Sequence, residues 1–590
     1  MAIPQLVVCA LFGAGFLVPA AAADYHPISA DADGKIVTLT GHDLSIEDVV
    51  AVARHGAQVR YSPEAIQRAA DGDDLRAEAG AENIPVYGLN RGAGALREVE
   101  VKRDEFVQLA NARAGAKEGV LPELADEDVV RAFLVIRANS VPFEAANPEF
   151  MQLLVGLLNK RVTPVMYSRG TLGEGDLFLT SNFLATMVGR GDAYYHGVRM
   201  GAADALKKAG LKPLSTRIGG GTSNAYADAL AVLLVADGKR ALEWADLIHA
   251  MDKLGMNSSV TPMAPLVQEK RPFKWVAWDA ARMMDMLKGS YLFEDDPKRI
   301  IQDPESMRAS YIRQGSAWQA WAALRDSVLV QINSGEQNPV VLLDASPTDS
   351  WELATPQFMK FYVKGGPLSH GRHGYVISCA NWDPYPMVNE IEAFTNAMAN
   401  MDSAIAQRIE RFDDRGPTPF FTGIHATDVL TAEQLRLSPA LAEPYFAFMD
   451  VWAEIQNEAR SITPEGSALD FGVADIEALS RLKAVHARQV VDLTVQLLAY
   501  DLLTATYWLD VRKIEDPKRD FAPAPTAAWV AFRKVLPWQQ EVDTRPDIPY
   551  GAVAYHFLSQ SAASNFYAAG PNMPRTEGEL MATPAKGGTQ

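Results

Sequence analysis

The sequence predicts an all-α fold, a large bundle of long helices joined by glycine-rich loops that carry the chemistry. Three observations predict it. Apolar residues recur at helical spacing through most of the chain beyond Glu105. One such run, from Ile476 to about Arg512, is far longer than a surface helix and reads as a central rod. Between the periodic segments, glycines gather in a few short irregular stretches.

In chain order, residues 1–23 carry no charged side chain, are apolar from Leu6 to Val18, and end in Ala21–Ala23 ahead of Asp24. This reads as a secretory signal peptide, so a periplasmic or secreted protein is expected. Removal of the leader takes Cys9 and leaves Cys379 alone, which rules out an intramolecular disulfide. Lys35–Thr40 reads as a short strand before a first helix over Ser45–Arg54. The acidic, alanine-rich stretch from Ala69 to Asn83 is expected as an exposed turn or a helix end.

Ile84–Gly94 is a loop with three glycines, which tolerate backbone angles that other residues resist. Asp126–Ala138 sets Val129, Phe133 and Ile136 on one helical face, and Glu149–Leu158 repeats the habit. Two more glycine loops follow, at Tyr167–Asp176 and Arg217–Ser223. The second feeds an apolar helix at about Ala225–Ala236, and a further helix is expected between Phe273 and Pro297. The tail from Thr576 to Gln590 is polar and expected to be disordered. Residues 24–240 are thus expected as an N-terminal helical domain with active-site loops, 241–515 as the long-helix bundle, and 516–590 as C-terminal helices and tail.

Composition narrows the function. The 590 residues are 48% apolar and 22% charged, as in globular proteins. Asp and Glu number 73 against 55 Lys and Arg, a net charge of −18. Nucleic acid is an unsuitable partner for that surface, and no apolar run beyond the leader is long enough to span a bilayer. His370 and His373 sit in a glycine loop without enough further ligands for zinc. No P-loop, dinucleotide fingerprint or nucleophile elbow appears.

What stands out is polar clusters at helix–loop junctions. Gln302, Glu305 and Arg308 recur every three residues, a spacing that places them on one helical face. Arg308 has the planar donor pair that clamps a carboxylate; a capped helix start with a surface ion pair explains the same residues. Gln331–Pro339 follows one helix later.

These clusters, in this order, resemble the aromatic amino acid ammonia-lyase family, which includes histidine and phenylalanine ammonia-lyases. Tyr87-Gly-Leu-Asn-Arg-Gly-Ala-Gly94 resembles its Tyr-Gly-x-Asn-Thr-Gly-Phe-Gly loop, and Val130–Asn139 the helix that follows. Gln302-Asp-Pro-Glu-Ser-Met-Arg308 resembles Gln-Asp-x-Tyr-Ser-x-Arg. Asn333-Ser334 with Asn338-Pro339 resembles Asn-Ser-x-x-Asp-Asn-Pro, and Arg408–Arg411 matches a later helix. The motifs spread over roughly residues 40–545.

The chain departs from the pattern where the family makes its electrophile. A methylidene-imidazolone forms there from Ala-Ser-Gly within Gly-Ser-x-Gly-Ala-Ser-Gly-Asp-Leu. Here the stretch is Gly170-Thr-Leu-Gly-Glu-Gly-Asp-Leu177, one residue shorter and without that serine. Glu305 replaces the tyrosine of the Gln-Asp-x-Tyr motif. Arg372 interrupts the family's Gly-Asn-Phe-His-Gly, and only Ala468–Gly472 stands near its last acidic motif.

The resemblance therefore implies a carbon–nitrogen lyase that eliminates an amine without the imidazolone, as ergothionase-type relatives expel trimethylamine from a betaine. It implies Tyr87 as base, its acidity raised by Arg91 or Arg372. Glu305 and Gln302 would line the leaving-group side, Arg308 would hold the carboxylate, and Asn224, Asn338, Arg372 and His373 would contact substrate. Trp318, Trp321, Trp382 and Tyr385 offer faces to a quaternary nitrogen, or are core aromatics. The substrate expected is a histidine-like or aromatic amino acid or its betaine, and the assembly a homotetramer with shared sites. The alternatives are an inactive secreted binding protein on the same fold, or a lyase or isomerase for a non-aromatic amino acid.

Overall fold

The computed structural model describes residues 25–32, 34–101, 120–215, 223–414, 416–438, 445–463, 469–540 and 546–576. The expected leader, most of the third glycine loop, Ala468 and the tail beyond Thr576 lie outside the described residues.

Four long helices make the frame: Ala225–Met256, Ser310–Gln331, Tyr385–Arg411 and Ser480–Glu515. The first and last pack along each other and are buried on nearly every face. That burial explains why neither shows a one-sided apolar stripe. The helix at Ala225 runs twenty residues past its expected end at Ala236, because Ala241, Ala245 and Ala250 continue a smooth buried surface. The rod expected from Ile476 starts at Ser480, where Leu479 turns the chain through a left-handed conformation. One apolar core runs from Val37 to Ala563 and draws on all three expected divisions of the chain.

Charges inside such a bundle must be paired. Arg408 donates to Asp252 at 2.7 Å, Asp501 at 2.6 Å and Ser310 at 2.8 Å, so one guanidinium joins all four long helices. All three charged side chains are shielded from solvent.

The short strands trim this frame. Ile36–Leu39 pairs in parallel with Gln58–Tyr61, and Gly374–Ile377 pairs antiparallel with both Val340–Leu343 and Tyr362–Val363. The first helix, Ile46–His55, is capped by the Ser45 hydroxyl on the Asp48 amide, close to its expected bounds.

Of the two expectations for the stretch from Ala69 to Asn83, the helix end holds and the exposed turn does not. The stretch is the second half of a helix over Pro63–Ala81, started by a Ser62 cap and a proline at its first position. Two of its acidic residues, Asp71 and Glu78, are buried, and the acidic side chains grip distant segments. Glu78 accepts the amides of Leu368 and Ser369 at 2.8 and 3.1 Å, and Glu82 accepts those of Lys364 and Gly365, each at 3.1 Å.

Among the described residues, no helix is long and apolar enough to cross a membrane.

Candidate active site

The loop from Gly170 to Leu177 is clamped at both ends. The Leu479 amide donates to the Leu172 carbonyl at 2.7 Å. Gly173 has φ +100°, and a Cβ there would lie 2.7 Å from the Leu479 nitrogen, so only glycine fits this approach. Gly175 donates its amide to Asn224 Oδ1 at 2.9 Å and accepts from the Ser223 amide at 3.1 Å. Asp176 accepts from the Ala227 amide at 3.1 Å, which satisfies a free donor in the first turn of the Ala225 helix. Glu174 is thus held out between two fixed glycines.

Three non-glycine residues in these converging loops adopt left-handed backbone: Asp176, Phe471 and Leu479, with φ of 39°, 59° and 54°. Such strain persists only where surrounding structure enforces it, and it gathers at functional loops. Polar atoms are also left without partners here. Glu174 Oε1, Asp176 Oδ1 and Ser480 Oγ are all closed off from solvent and make no hydrogen bond.

Burial, then the nearby carboxylates of Glu477, Asp383 and Asp475, push the Glu174 carboxyl up to about 7. Burial likewise lifts Asp176 to about 6 against the hydrogen bonds that favour its charge.

Asn224 is the hinge of the site. Its side-chain amide donates to the Trp382 carbonyl at 2.7 Å, while its backbone amide donates to Glu336 at 3.0 Å. Glu336 also accepts the Ser223 hydroxyl at 2.7 Å. Burial raises Glu336 to about 7, and burial also raises its neighbour Asp228. Asn338 joins the same chain of contacts: its Oδ1 accepts from Ser378 and Cys379, whose carbonyl in turn accepts the Trp382 indole N–H at 3.0 Å.

Tyr87 comes from a loop folded around Asn90, whose side chain accepts from the Val86 amide and donates to the Ile84 carbonyl, each at 2.8 Å. The Tyr87 hydroxyl is half-buried and accepts the Gly94 amide at 3.1 Å. The turn at Gly94–Leu96 packs on the turn at Asp470–Gly472. That second turn leads through Asp475 and Glu477 to Ser480, so Tyr87 and Glu174 flank one connecting segment.

Other expected site residues stand elsewhere in this chain. The helix at Glu305–Arg308 is a single turn that begins after Pro304, and Gln302 precedes it, so the three-residue spacing does not run along one helix. Gln302 and Glu305 are exposed, and Arg308 lies 3.8 Å from Glu305. The alternate residues anchor the segment instead: Asp303 accepts the Ser259 amide at 2.9 Å, and the Met307 carbonyl accepts from His249 at 3.0 Å. Gln302 and Glu305 therefore face solvent rather than a pocket of their own chain, while Arg308 beside them is half-buried with its Nε enclosed and without a hydrogen-bond partner.

The Arg372 guanidinium is clamped between Asp71 and Asp344, and Arg91 pairs with Glu100 at 3.1 Å, so neither is a free cation beside Tyr87. His373 contributes its carbonyl to the Asp344 amide and packs edge-on against Tyr362. Trp318 and Trp321 are core residues whose indoles donate to Asp246 and the Val235 carbonyl. Tyr385 is exposed.

Sequence reasoning left Glu174, Ser480 and Glu336 out of the site. The glycines on both sides of Glu174 were a signal for it; Glu336 and Ser480 gave none, because their partners lie far away in the chain. Among the described residues, no group of three or more His, Cys, Asp or Glu is placed to hold a metal.

A family model described as aromatic amino acid lyase matches residues 44–534. Histidine ammonia-lyase of Stigmatella aurantiaca is 28% identical over 529 residues, covering 86% of this chain and 93% of that one. Histidine ammonia-lyase of Treponema denticola is 33% identical over 317 residues, covering 52% of this chain and 62% of its own length. Among solved structures, ergothionase from Treponema denticola, in complex with desmethyl-ergothioneine sulfonic acid, superposes with a TM-score of 0.75. It is 23% identical, and the match covers 89% of this chain and 99% of that one. Tyrosine aminomutase from Streptomyces globisporus gives 0.72 at 21% identity, covering 89% and 97%.

Proposed function

The chain belongs to the aromatic amino acid lyase family, and from that premise we propose a carbon–nitrogen lyase that eliminates an amine without an imidazolone cofactor. Its substrate is a histidine-like or aromatic amino acid or, better, the corresponding betaine. The observation that carries this reading is the clamped loop at Glu174. A ring built from Ala-Ser-Gly has no source in Gly173-Glu174-Gly175, and a carboxylate stands where an electrophile would be needed.

The chemistry follows from that loss. The Tyr87 phenolate takes the β-proton, the C–H electron pair becomes the new Cα=Cβ bond, and the Cα–N bond breaks with its electrons leaving on nitrogen. Ammonia is a poor leaving group for this step. A trimethylammonium leaves as neutral trimethylamine and needs no activation, so a quaternary substrate suits a site without an electrophile. Incubating the purified protein with amino acids and their betaines, while following amine release and the absorbance of a conjugated acrylate, tests the reading. Release of neither amine from any of them refutes it.

Two further expectations arise here. Intact-mass measurement of the mature chain shows no loss of the two waters that ring formation would remove. A doubly dehydrated peptide spanning Gly170–Leu177 would overturn the cofactor-free mechanism.

The second concerns the outward trio. We propose that Gln302, Glu305 and Arg308 serve a site shared between subunits of a homotetramer, with Arg308 holding the substrate carboxylate. Arg308→Lys then raises KM roughly ten- to hundredfold, the worth of a lost charge-assisted hydrogen bond. The melting temperature stays within about a degree, because an exposed ion pair contributes little. Unchanged KM would leave Arg308 no more than the ion-pair partner of Glu305. The leader, if it directs export, puts this chemistry in the periplasm or outside the cell.

A further inference from the structure

We infer that Glu174 is the residue that receives the cationic nitrogen of the substrate. The inference rests on the lyase reading for the identity of that substrate, but the binding it describes stands on the loop's own geometry.

A buried carboxylate oxygen without a donor is costly to keep. The loop nonetheless holds Glu174 Oε1 in that condition, fixed by Gly173 against Leu479 on one side and by Gly175 against Asn224 on the other. Ser480 repeats the feature. It is wholly buried, its hydroxyl has no partner, and that hydroxyl lies 3.0 Å from where a Gly173 Cβ would be.

Among the described residues, no cation pairs with Glu174. Its charged surroundings are carboxylates from two other segments: Asp383 ahead of the Tyr385 helix, and Asp475 and Glu477 ahead of the Ser480 helix. The nearest basic group in sequence to these, Arg481, faces Tyr226 and Asp176. A cation is the ligand that relieves both the missing partner and the mutual repulsion. Trp382 precedes Asp383, and its carbonyl accepts from the Asn224 side chain that also holds Gly175, which ties the Asp383 segment to the Glu174 loop.

An amino acid and its betaine both present a positive nitrogen, so the shared chemistry is a cationic amine beside a carboxylate. Receipt of that nitrogen at Glu174 also orients the Cα–N bond for cleavage. A bound cation favours the ionised form of Glu174, so binding strengthens as pH rises through about 7, where the free carboxyl gives up its proton.

Calorimetric titration of the full chain tests this with four probes: tetramethylammonium chloride, histidine, histidine trimethylammonium betaine, and the amine-free imidazolepropionate. Glu174→Gln is expected to weaken the three cationic probes at least tenfold and to leave imidazolepropionate unchanged. Tetramethylammonium, which does not titrate, should bind the wild type more tightly at pH 8 than at pH 6, and Glu174→Gln at one affinity throughout. A preference between histidine and its betaine names the natural form of the nitrogen.

Equal loss for the amine-free probe, no loss for the cations, or no cation binding by the wild type overturns the inference. Where the variant does not fold, a wild-type affinity for tetramethylammonium that is flat from pH 6 to 8 overturns it as well. Cation binding that depends on Glu174 without any amine release refutes the lyase reading and leaves this inference standing.

Discussion

Tyr87→Phe lowers kcat by about 10²–10⁴-fold, the range that general acid–base catalysis supplies, with the fold intact. The phenol oxygen accepts a backbone N–H from Gly94 at 3.1 Å, which fixes where the base stands. The loop does not depend on that hydroxyl, because Asn90 closes it from within. Removing one oxygen therefore takes away the proton acceptor and little else. Arg91 and Arg372 are each already paired, the first with Glu100 and the second with Asp71 and Asp344. The measurement is kcat at saturating substrate, beside an unchanged circular dichroism spectrum and melting temperature. Wild-type turnover in the variant would remove Tyr87 from the mechanism and turn attention to Glu174 as the base.

The helical frame was legible because its signals are local. Ser45 caps the helix that follows it, and the apolar run from Ile476 marked the longest rod to within a few residues. The loop at Tyr87 was legible for the same reason, its glycines and Asn90 being close neighbours in sequence. Signals that close across the chain could not be read. Asp71 and Glu78 looked like residues of an exposed acidic stretch, yet their partners are Arg372 and the amides of Leu368 and Ser369, about 290 to 300 residues away.

Glu336 presents the same difficulty with Ser223 and Asn224, more than a hundred residues before it. The spacing of Gln302, Glu305 and Arg308 misled in a different way. It correctly marked one side of the segment, but that side faces out, because Asp303 and Met307 take the inward positions. Family resemblance identified the motif without saying which neighbour it faces.

Arg408→Met destabilises the protein by about 3–5 kcal/mol, the usual cost of removing one partner from a buried ion pair. The guanidinium is wholly enclosed, and its two carboxylate partners belong to the two most deeply buried helices. Burial, together with mutual repulsion, already holds Asp252 well above the usual carboxylate range, with Arg408 opposing the rise. Without the cation, each carboxylate is left charged in an apolar bundle or must take up a proton.

The sign of the pH dependence follows from linkage. In the variant, Asp252 and Asp501 titrate higher than in the unfolded chain, so the folded form binds protons more tightly. Its stability, relative to wild type, is then regained as pH falls toward the ordinary carboxylate range and lost as pH rises. Urea denaturation followed by fluorescence of the buried Trp244 and Trp318 reports the difference at several pH values. Replacing Asp252 and Asp501 by leucine in the same variant should recover most of the loss, because an apolar trio of similar volume carries no desolvation cost. If Arg408→Met alone unfolds at the wild-type urea concentration, the four long helices are held by their apolar packing and the triad is dispensable.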